Sequence, residues 1–482
     1  MPTQVQGQMP TGEAVTAGEL FERAQAAFRS GRTEEALGYL EAFLKQRPGH
    51  GIAWNLAGAC NRIMGRYEKA VHCFKQALPL SNTPSEVLVN LFRTYLTAGK
   101  TAQAASLLKL LPPNHAQSAE LVLDLSSRLV REDQPHWAMD ILLEQKDRLT
   151  NSQIPDSCIS DLHSLRPKLA VFCGADGMTF FNEIFKYLEP RYQVRVFEGK
   201  TTEQMRELME WSDVSWFEWC SNLAVLASQM SKVCRMIVRL HRYEAYMSWP
   251  RQINWDHVDL LITVGNSTVM RALEVEVPDI HQRVAIVKIP NGVNLKNIPF
   301  ARRSAGKSIA FVASMRMVKN PMLLLQCMAN LYAIDPEYHL YIAGRMSELL
   351  VEQYFLHQVH ALGLDEVVHF DGWQADIPGW LADKQYLAVT SVIESQGMGI
   401  LEAMASGIKP VIHNFPGAAE IYGTEYLFNT PEEFSSQILS REYDSASYRT
   451  FVEQRYPLDR FLMKIDEIVA SFERVPVAAN AS

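Results

Sequence analysis

The chain has 482 residues, enough at about 100–200 residues per domain for roughly three folding units. Hydrophobic residues make up 48% and charged residues 21%, a balance that excludes a largely disordered protein. The net charge of −8 argues against binding nucleic acid by bulk electrostatics, so any phosphate site has to be local.

Residues 1–16 are polar and read as a disordered start, without the basic and then apolar run of a secretory leader. No apolar stretch approaches the ~20 residues that span a bilayer, so no integral membrane segment is expected. The cytoplasm is the expected compartment. Seven cysteines are scattered and never spaced Cys-x-x-Cys, which speaks against a zinc site or a disulfide framework.

Residues 17–152 carry a period. Gly31, Gly65 and Gly99 are 34 apart, and the same step links Ala36, Ala70, Ala104 and Ala138, and again Leu40, Phe74, Leu108 and Leu142. A small residue where helices cross, a bulky one a turn later and a glycine at the turn are what stacked helical hairpins need. The pattern resembles the tetratricopeptide repeat, with Trp54, Gly58, Tyr67, Ala70, Phe74 and Ala77 in its second unit. The fourth unit has Asp133 in the glycine position and Gln145 where an apolar partner belongs, and reads as a terminal cap. Such solenoids offer a long concave surface, so a protein partner, or self-association into a homo-oligomer, is expected here.

A polar linker is expected over 153–166. Short apolar, β-rich runs then alternate with helical ones. Strands are expected at Leu169–Cys173, Val194–Phe197, Val214–Phe217, Met236–Leu240, Leu260–Val264 and Val284–Ile289. A second series follows at Ser308–Ala313, His339–Ile342, Val367–Phe370, Leu387–Val389 and Pro410–His413. The alternation predicts two Rossmann-like domains, 167–297 and 298–473, facing a cleft, with a disordered tail at 474–482. Ligands of such sheets sit beyond the carboxyl ends of strands, so the motifs there matter most.

The sharpest of these is Glu394-Ser-Gln-Gly-Met-Gly-Ile-Leu-Glu402, which follows the strand Leu387–Val389 and leads into Ala403-Met-Ala-Ser-Gly407. Gly397 and Gly399 let the backbone approach a ligand, and the helix they open offers unpaired N–H groups to phosphate. Here the sequence resembles the retaining family-four glycosyltransferases of the GT-B fold, over about Lys168 to Glu473. The resemblance implies a nucleotide diphosphate sugar donor, with Glu394 on hydroxyls of the transferred sugar and Glu402 on the ribose; Gly397, Met398 and Gly399 would lie against the donor. It also implies a grip on the diphosphate by Arg316 and Lys319 of Ser314-Met-Arg-Met-Val-Lys-Asn320. Two cations and a helix N-terminus can stabilise a leaving diphosphate, and no Asp-x-Asp occurs. No metal and no cofactor is expected.

The first half is less explicit. His241, after the strand Met236–Leu240, matches a histidine that the family often sets against the donor; a structural role is equally open. Gly174-Ala-Asp176-Gly177 lies where the family has a glycine-rich loop near donor and acceptor. Pro290-Asn-Gly-Val-Asn294 resembles a family turn and reads as structural. The expected activity is transfer of a hexose with retention of configuration to an acceptor, preferentially a protein held by the repeats. Two rivals stand beside it: transfer to a lipid-linked or soluble saccharide, with Phe180, Phe181, Phe185 and Tyr187 against a membrane, and an adaptor whose transferase half is inactive.

Overall fold

The computed structural model describes residues 16–149, 154–174, 177–440 and 442–472. The chain divides into two compact units, residues 1–166 and 167–482.

The first unit is a stack of helices in pairs. Ala36, Ala70, Ala104 and Ala138 are fully buried, as close helix crossings require. Gly58 shows how close: a methyl added there would run into the Phe74 ring of the paired helix. Gly31, Gly65 and Gly99 have φ of 77°, 73° and 71°, and Asp133 takes up the same left-handed turn at 67°. The fourth unit therefore keeps the repeat's geometry with an unfavourable residue. The stretch expected as a linker contains the helix Asp156–Leu165. Ile154 and Leu162 are buried in the core of the repeat unit, with Cys158 and Ile159 packed against it. An apolar stripe among polar residues makes this segment part of the stack.

The second unit contains two six-stranded sheets, all of whose pairings are parallel. The first comprises β1 (Lys168–Phe172), β2 (Gln193–Val196), β3 (Val214–Phe217), β4 (Arg235–Leu240), β5 (Leu260–Thr263) and β6 (Ala285–Lys288), in the order β2-β1-β3-β4-β5-β6. The second comprises β7 (Ser308–Val312), β8 (His339–Ala343), β9 (Val368–Gly372), β10 (Tyr386–Val389), β11 (Lys409–His413) and β12 (Leu427–Phe428), in the order β12-β11-β10-β7-β8-β9. Every strand expected from the sequence is present; the added β12 is only two residues long and carries too little pattern to be read. Strands β3 and β10 are buried along their whole length, as a sheet covered by helices on both faces demands.

The terminal helix Leu458–Ser471 returns to the first sheet and buries Phe461, Leu462, Ile465 and Val469 among Leu169, Val171, Trp216 and Ile237. At Gly292 a side chain would strike the start of this helix, which explains the glycine in the connecting turn. Phe181 is fully buried in the same core, and Phe185 and Tyr187 pack against it. These rings, read as a membrane-touching face in the rival account, are occupied with internal packing; of the four, Phe180 remains 40% exposed. Among the described residues no helix is long and apolar enough to cross a membrane.

Candidate functional site

In the second sheet the chain order reverses at β7 and β10, so the loops beyond their carboxyl ends diverge and leave a crevice. The loop after β7 holds Arg316 and a tight turn, Met317–Lys319. Asn320, at φ 48°, ends that turn and caps the helix Pro321–Ile334 by accepting a bond from the Leu323 N–H at 3.3 Å. The loop after β10 is tied to this turn at two points. The Val392 N–H donates to the Val318 carbonyl at 2.9 Å, and the Thr390 hydroxyl to the Lys319 carbonyl at 2.9 Å.

The two loops meet in chemistry at Glu394. Its side chain is buried, forms an ion pair with the Lys319 ammonium, and accepts a hydrogen bond from the Ser391 hydroxyl at 2.9 Å. Removing either partner of such a pair is costly, because the other charge is left in a desolvated place without a counter-charge. Beyond Glu394 the chain passes Gly397, at φ 64°, into the helix Met398–Ala405, whose first turn has N–H groups without intrahelical partners. A side chain at Gly397 would collide with the Tyr422 hydroxyl, whereas at Gly399 it would meet open space. The backbone is therefore bare at the start of this helix, where it lines the cavity.

Gly397, Met398, Gly399, Glu394, Lys319 and His241 all line one cavity of about 510 Å³ between the two sheets. Arg316 is exposed, at the beginning of the same turn, outside the cavity wall. Glu402 lies on the helix and is also outside the wall. Desolvation raises its carboxyl although the residue as a whole is open to water, which marks a group crowded by protein at one side.

The opposite wall comes from the first sheet. Phe180, Trp219, His241 and Tyr243 line it, with the Trp219 and His241 rings 4.4 Å apart and Phe180 5.2 Å from His241. Gly174 and Gly177 stand behind this wall rather than in it; Gly177 accepts the Trp219 indole N–H at 3.1 Å. Asp176 lies outside the described residues. His241 is buried and its Nε2 is 3.0 Å from Glu218 Oε1. The same carboxylate takes Arg239 at 2.6 Å and the Trp216 indole at 2.9 Å. Burial works to raise the Glu218 carboxyl, but Arg239 and His241 outweigh it and the net direction is downward.

Behind His241, Glu244 is fully buried and accepts the backbone N–H groups of Cys220 at 3.3 Å and of His241 at 3.4 Å. Burial pushes its carboxyl up to about 7, with the Glu218 charge adding to the rise.

The two halves touch across the cavity floor. Asn266, after β5, donates its amide to the Glu394 carbonyl at 2.9 Å, and its N–H to the Ser395 carbonyl at 3.0 Å. Any side chain at Gly265 would strike Ser395. Gln396 pairs with the backbone of Asn291 at two points, accepting its N–H at 2.6 Å and donating to its carbonyl at 2.8 Å. Glu218, Arg239 and Asn266 lie outside the motifs of the sequence, and Asn291 and Gln396 lie within two of them without a role assigned there. A charged residue inside the apolar run of β4 was the one available signal, because Arg239 in a buried strand demands a carboxylate partner.

Residues 306–441 match the family described as Glycosyl transferases group 1, and residues 21–86 and 61–129 match tetratricopeptide repeat families. The GDP-mannose:cellobiosyl-diphosphopolyprenol alpha-mannosyltransferase of Komagataeibacter xylinus is 24% identical over 149 residues, which are 30% of this chain and 38% of that protein. The match thus spans well under half of that relative. Among solved structures, HepE of Anabaena in complex with UDP is similar at a TM-score of 0.53 and 16% identity, over 63% of this chain and 100% of that one. A glycosyltransferase from Rickettsia africae is similar at 0.52 and 14% identity, over 64% and 100%. These likenesses show the fold, two Rossmann-like domains in the GT-B arrangement.

Proposed function

We propose, for a chain that joins tetratricopeptide repeats to a glycosyl transferase group 1 domain of the GT-B fold, transfer of a hexose from a nucleoside diphosphate donor, with retention of configuration and without a metal. The observation that carries this reading is the Lys319–Glu394 pair beside a glycine-opened helix, in a cavity large enough for a nucleotide sugar.

In this reading the Met398–Ala405 helix and Lys319 hold the diphosphate, and Arg316 swings in from the exposed turn to share its charge. Glu394 accepts hydroxyls of the transferred sugar, and Glu402 those of the ribose. His241 meets the sugar from the opposite wall. Fixed positive charge stabilises the leaving diphosphate in place of a cation, since the donors are already oriented when the bond breaks. No protein nucleophile is invoked; the departing phosphate takes the acceptor's proton. Incubation with a defined donor followed by NMR assignment of the product anomer tests retention, and an inverted product refutes it.

A protein is the preferred acceptor, because repeat solenoids present a surface suited to polypeptides. Deletion of residues 1–150 should abolish transfer to protein while sparing slow donor hydrolysis. Undiminished protein modification overturns that choice. The saccharide rival draws support from the aromatic wall of Phe180, Trp219 and Tyr243, which suits a sugar ring, and from the polyprenol-linked disaccharide in the Komagataeibacter relative's name. Transfer by the truncated chain to a polyprenol-linked saccharide would decide for it. The adaptor rival requires that calorimetry with a panel of nucleotide sugars show no binding.

A further inference from the structure

The turn Pro290–Asn294 reads from the sequence as mere structure, and Gln396 as one of the residues between two functional glutamates. The fold joins them. Gln396 is 1% exposed and spends both ends of its amide on the Asn291 backbone. The Asn291 side-chain carbonyl accepts Arg239 Nη2, Arg239 Nη1 donates to Glu218, and Glu218 holds His241. Every member of this chain is buried, and Arg239 and Glu218 are completely so. It begins on the loop that carries Glu394 in one half and ends on the imidazole in the cavity wall of the other.

We infer that Gln396, Asn291, Arg239 and Glu218 form a positioning relay, through which the placement of the donor-binding loop sets the orientation of His241. The inference rests on the donor reading given above. A fully buried ion pair is weak as a source of stability, because desolvation offsets most of the attraction. Its constituents are instead held in one arrangement, since any displaced member leaves a buried charge or amide unsatisfied. The Trp216 indole fixes the second oxygen of Glu218, so the carboxylate cannot rotate away from His241 without losing that bond. The Tyr422 hydroxyl binds the Gln396 carbonyl at 2.5 Å and holds the loop from its other side. A loop that shifts with the donor therefore pulls on Asn291 and, through Arg239, on the group that orients the imidazole.

The test is a double-mutant cycle in the full-length chain, with Gln396→Ala at one end and Glu218→Gln at the other. Calorimetry with nucleotide sugars measures donor Kd, and turnover measures kcat. Each single change should lower kcat about tenfold or more while donor Kd stays within about threefold. The two are not in contact, so independent residues would give a double variant with the product of the two losses. A relay predicts a double variant no worse than about threefold below the poorer single, because a chain cut twice is no more broken than one cut once. Asn291→Ala serves where Glu218→Gln does not fold, since it removes only the side-chain link and leaves the backbone pairing with Gln396. Multiplicative losses, or singles that leave kcat unchanged, overturn the relay while leaving the transferase reading intact. Absence of donor binding by the unaltered chain overturns both.

Discussion

The two halves of the second unit solve different problems in different ways. In the carboxyl-terminal half the chemistry sits on two neighbouring loops, after β7 and β10, and depends on backbone: a left-handed Asn320, a left-handed Gly397 and a helix start. In the amino-terminal half it sits on side chains from the ends of β3, β4 and β6, paired through space as Glu218, Arg239, His241 and Asn291. Binding phosphate by amides needs a particular local conformation, and such a conformation leaves a compact signature in the sequence. Pairing charges needs only that strand ends be adjacent, which can be met by residues dozens of positions apart.

The largest effect is expected in the carboxyl-terminal half, where Lys319→Ala removes the charged contact that the proposed reading gives to the donor and also strands Glu394 in a buried position. A charged hydrogen bond is worth about 1.5–3 kcal/mol, and an orphaned buried charge adds to that, so kcat/KM should fall roughly hundredfold or more. Arg316→Ala, at an exposed site with no side-chain partner to strand among the described residues, should cost nearer tenfold, about 1.4 kcal/mol. Steady-state kinetics on both variants rank them. A larger loss for Arg316→Ala would show that local exposure does not report the grip on the donor, and the contrast between buried and open cations would fail.

The next effect belongs to the other half and concerns stability. Glu244 is raised to about 7 by burial, whereas an unfolded glutamate titrates near 4.3. Between those values the folded chain keeps the proton and the unfolded chain does not, so folding takes up a proton and stability falls as pH rises. Above about 7 the penalty is complete, on the order of 3 kcal/mol, and below the unfolded value it vanishes. Glu244→Gln should therefore stabilise the second unit at pH 8 and be nearly neutral at pH 4.5, as read from thermal or denaturant unfolding. Equal stabilisation at both pH values would assign the effect to packing.

Much of the fold was legible because periodicity reports burial. The 34-residue step located the repeats, and alternation of apolar runs located eleven of the twelve strands, β12 being too short to show a pattern. The segment 153–166 escaped because its stripe of Cys158, Ile159 and Leu162 lies within a polar composition. Of the cavity lining, Glu394, Lys319, Gly397 and Gly399 fall in motifs that the sequence shows at strand ends. Gln396 lies between two of them and was not legible, because nothing local distinguishes an amide that pairs across a cavity floor from one that faces solvent. His241 stood undecided for the same reason. Its buried bond to Glu218 and its place in the cavity wall are facts of the fold, supplied by two strands that only the sheet makes neighbours.

The smallest expected effect tests the carboxyl-terminal half at its outer end. Glu402 is raised by desolvation, so it holds its proton to a higher pH than an ordinary glutamate. An ionised carboxylate is the stronger acceptor for hydroxyl donors. If Glu402 binds the ribose, donor KM should rise as pH falls, and should begin to do so above the usual carboxylate range. In Glu402→Gln that rise should disappear, while KM at neutral pH increases about tenfold, the value of one charged hydrogen bond at its lower end, and kcat stays put. Unchanged kcat distinguishes a residue that binds donor and transition state equally from one that acts only as the bond breaks. A fall in kcat at constant KM would move Glu402 into the latter group, and the division of labour between the two glutamates would have to be redrawn.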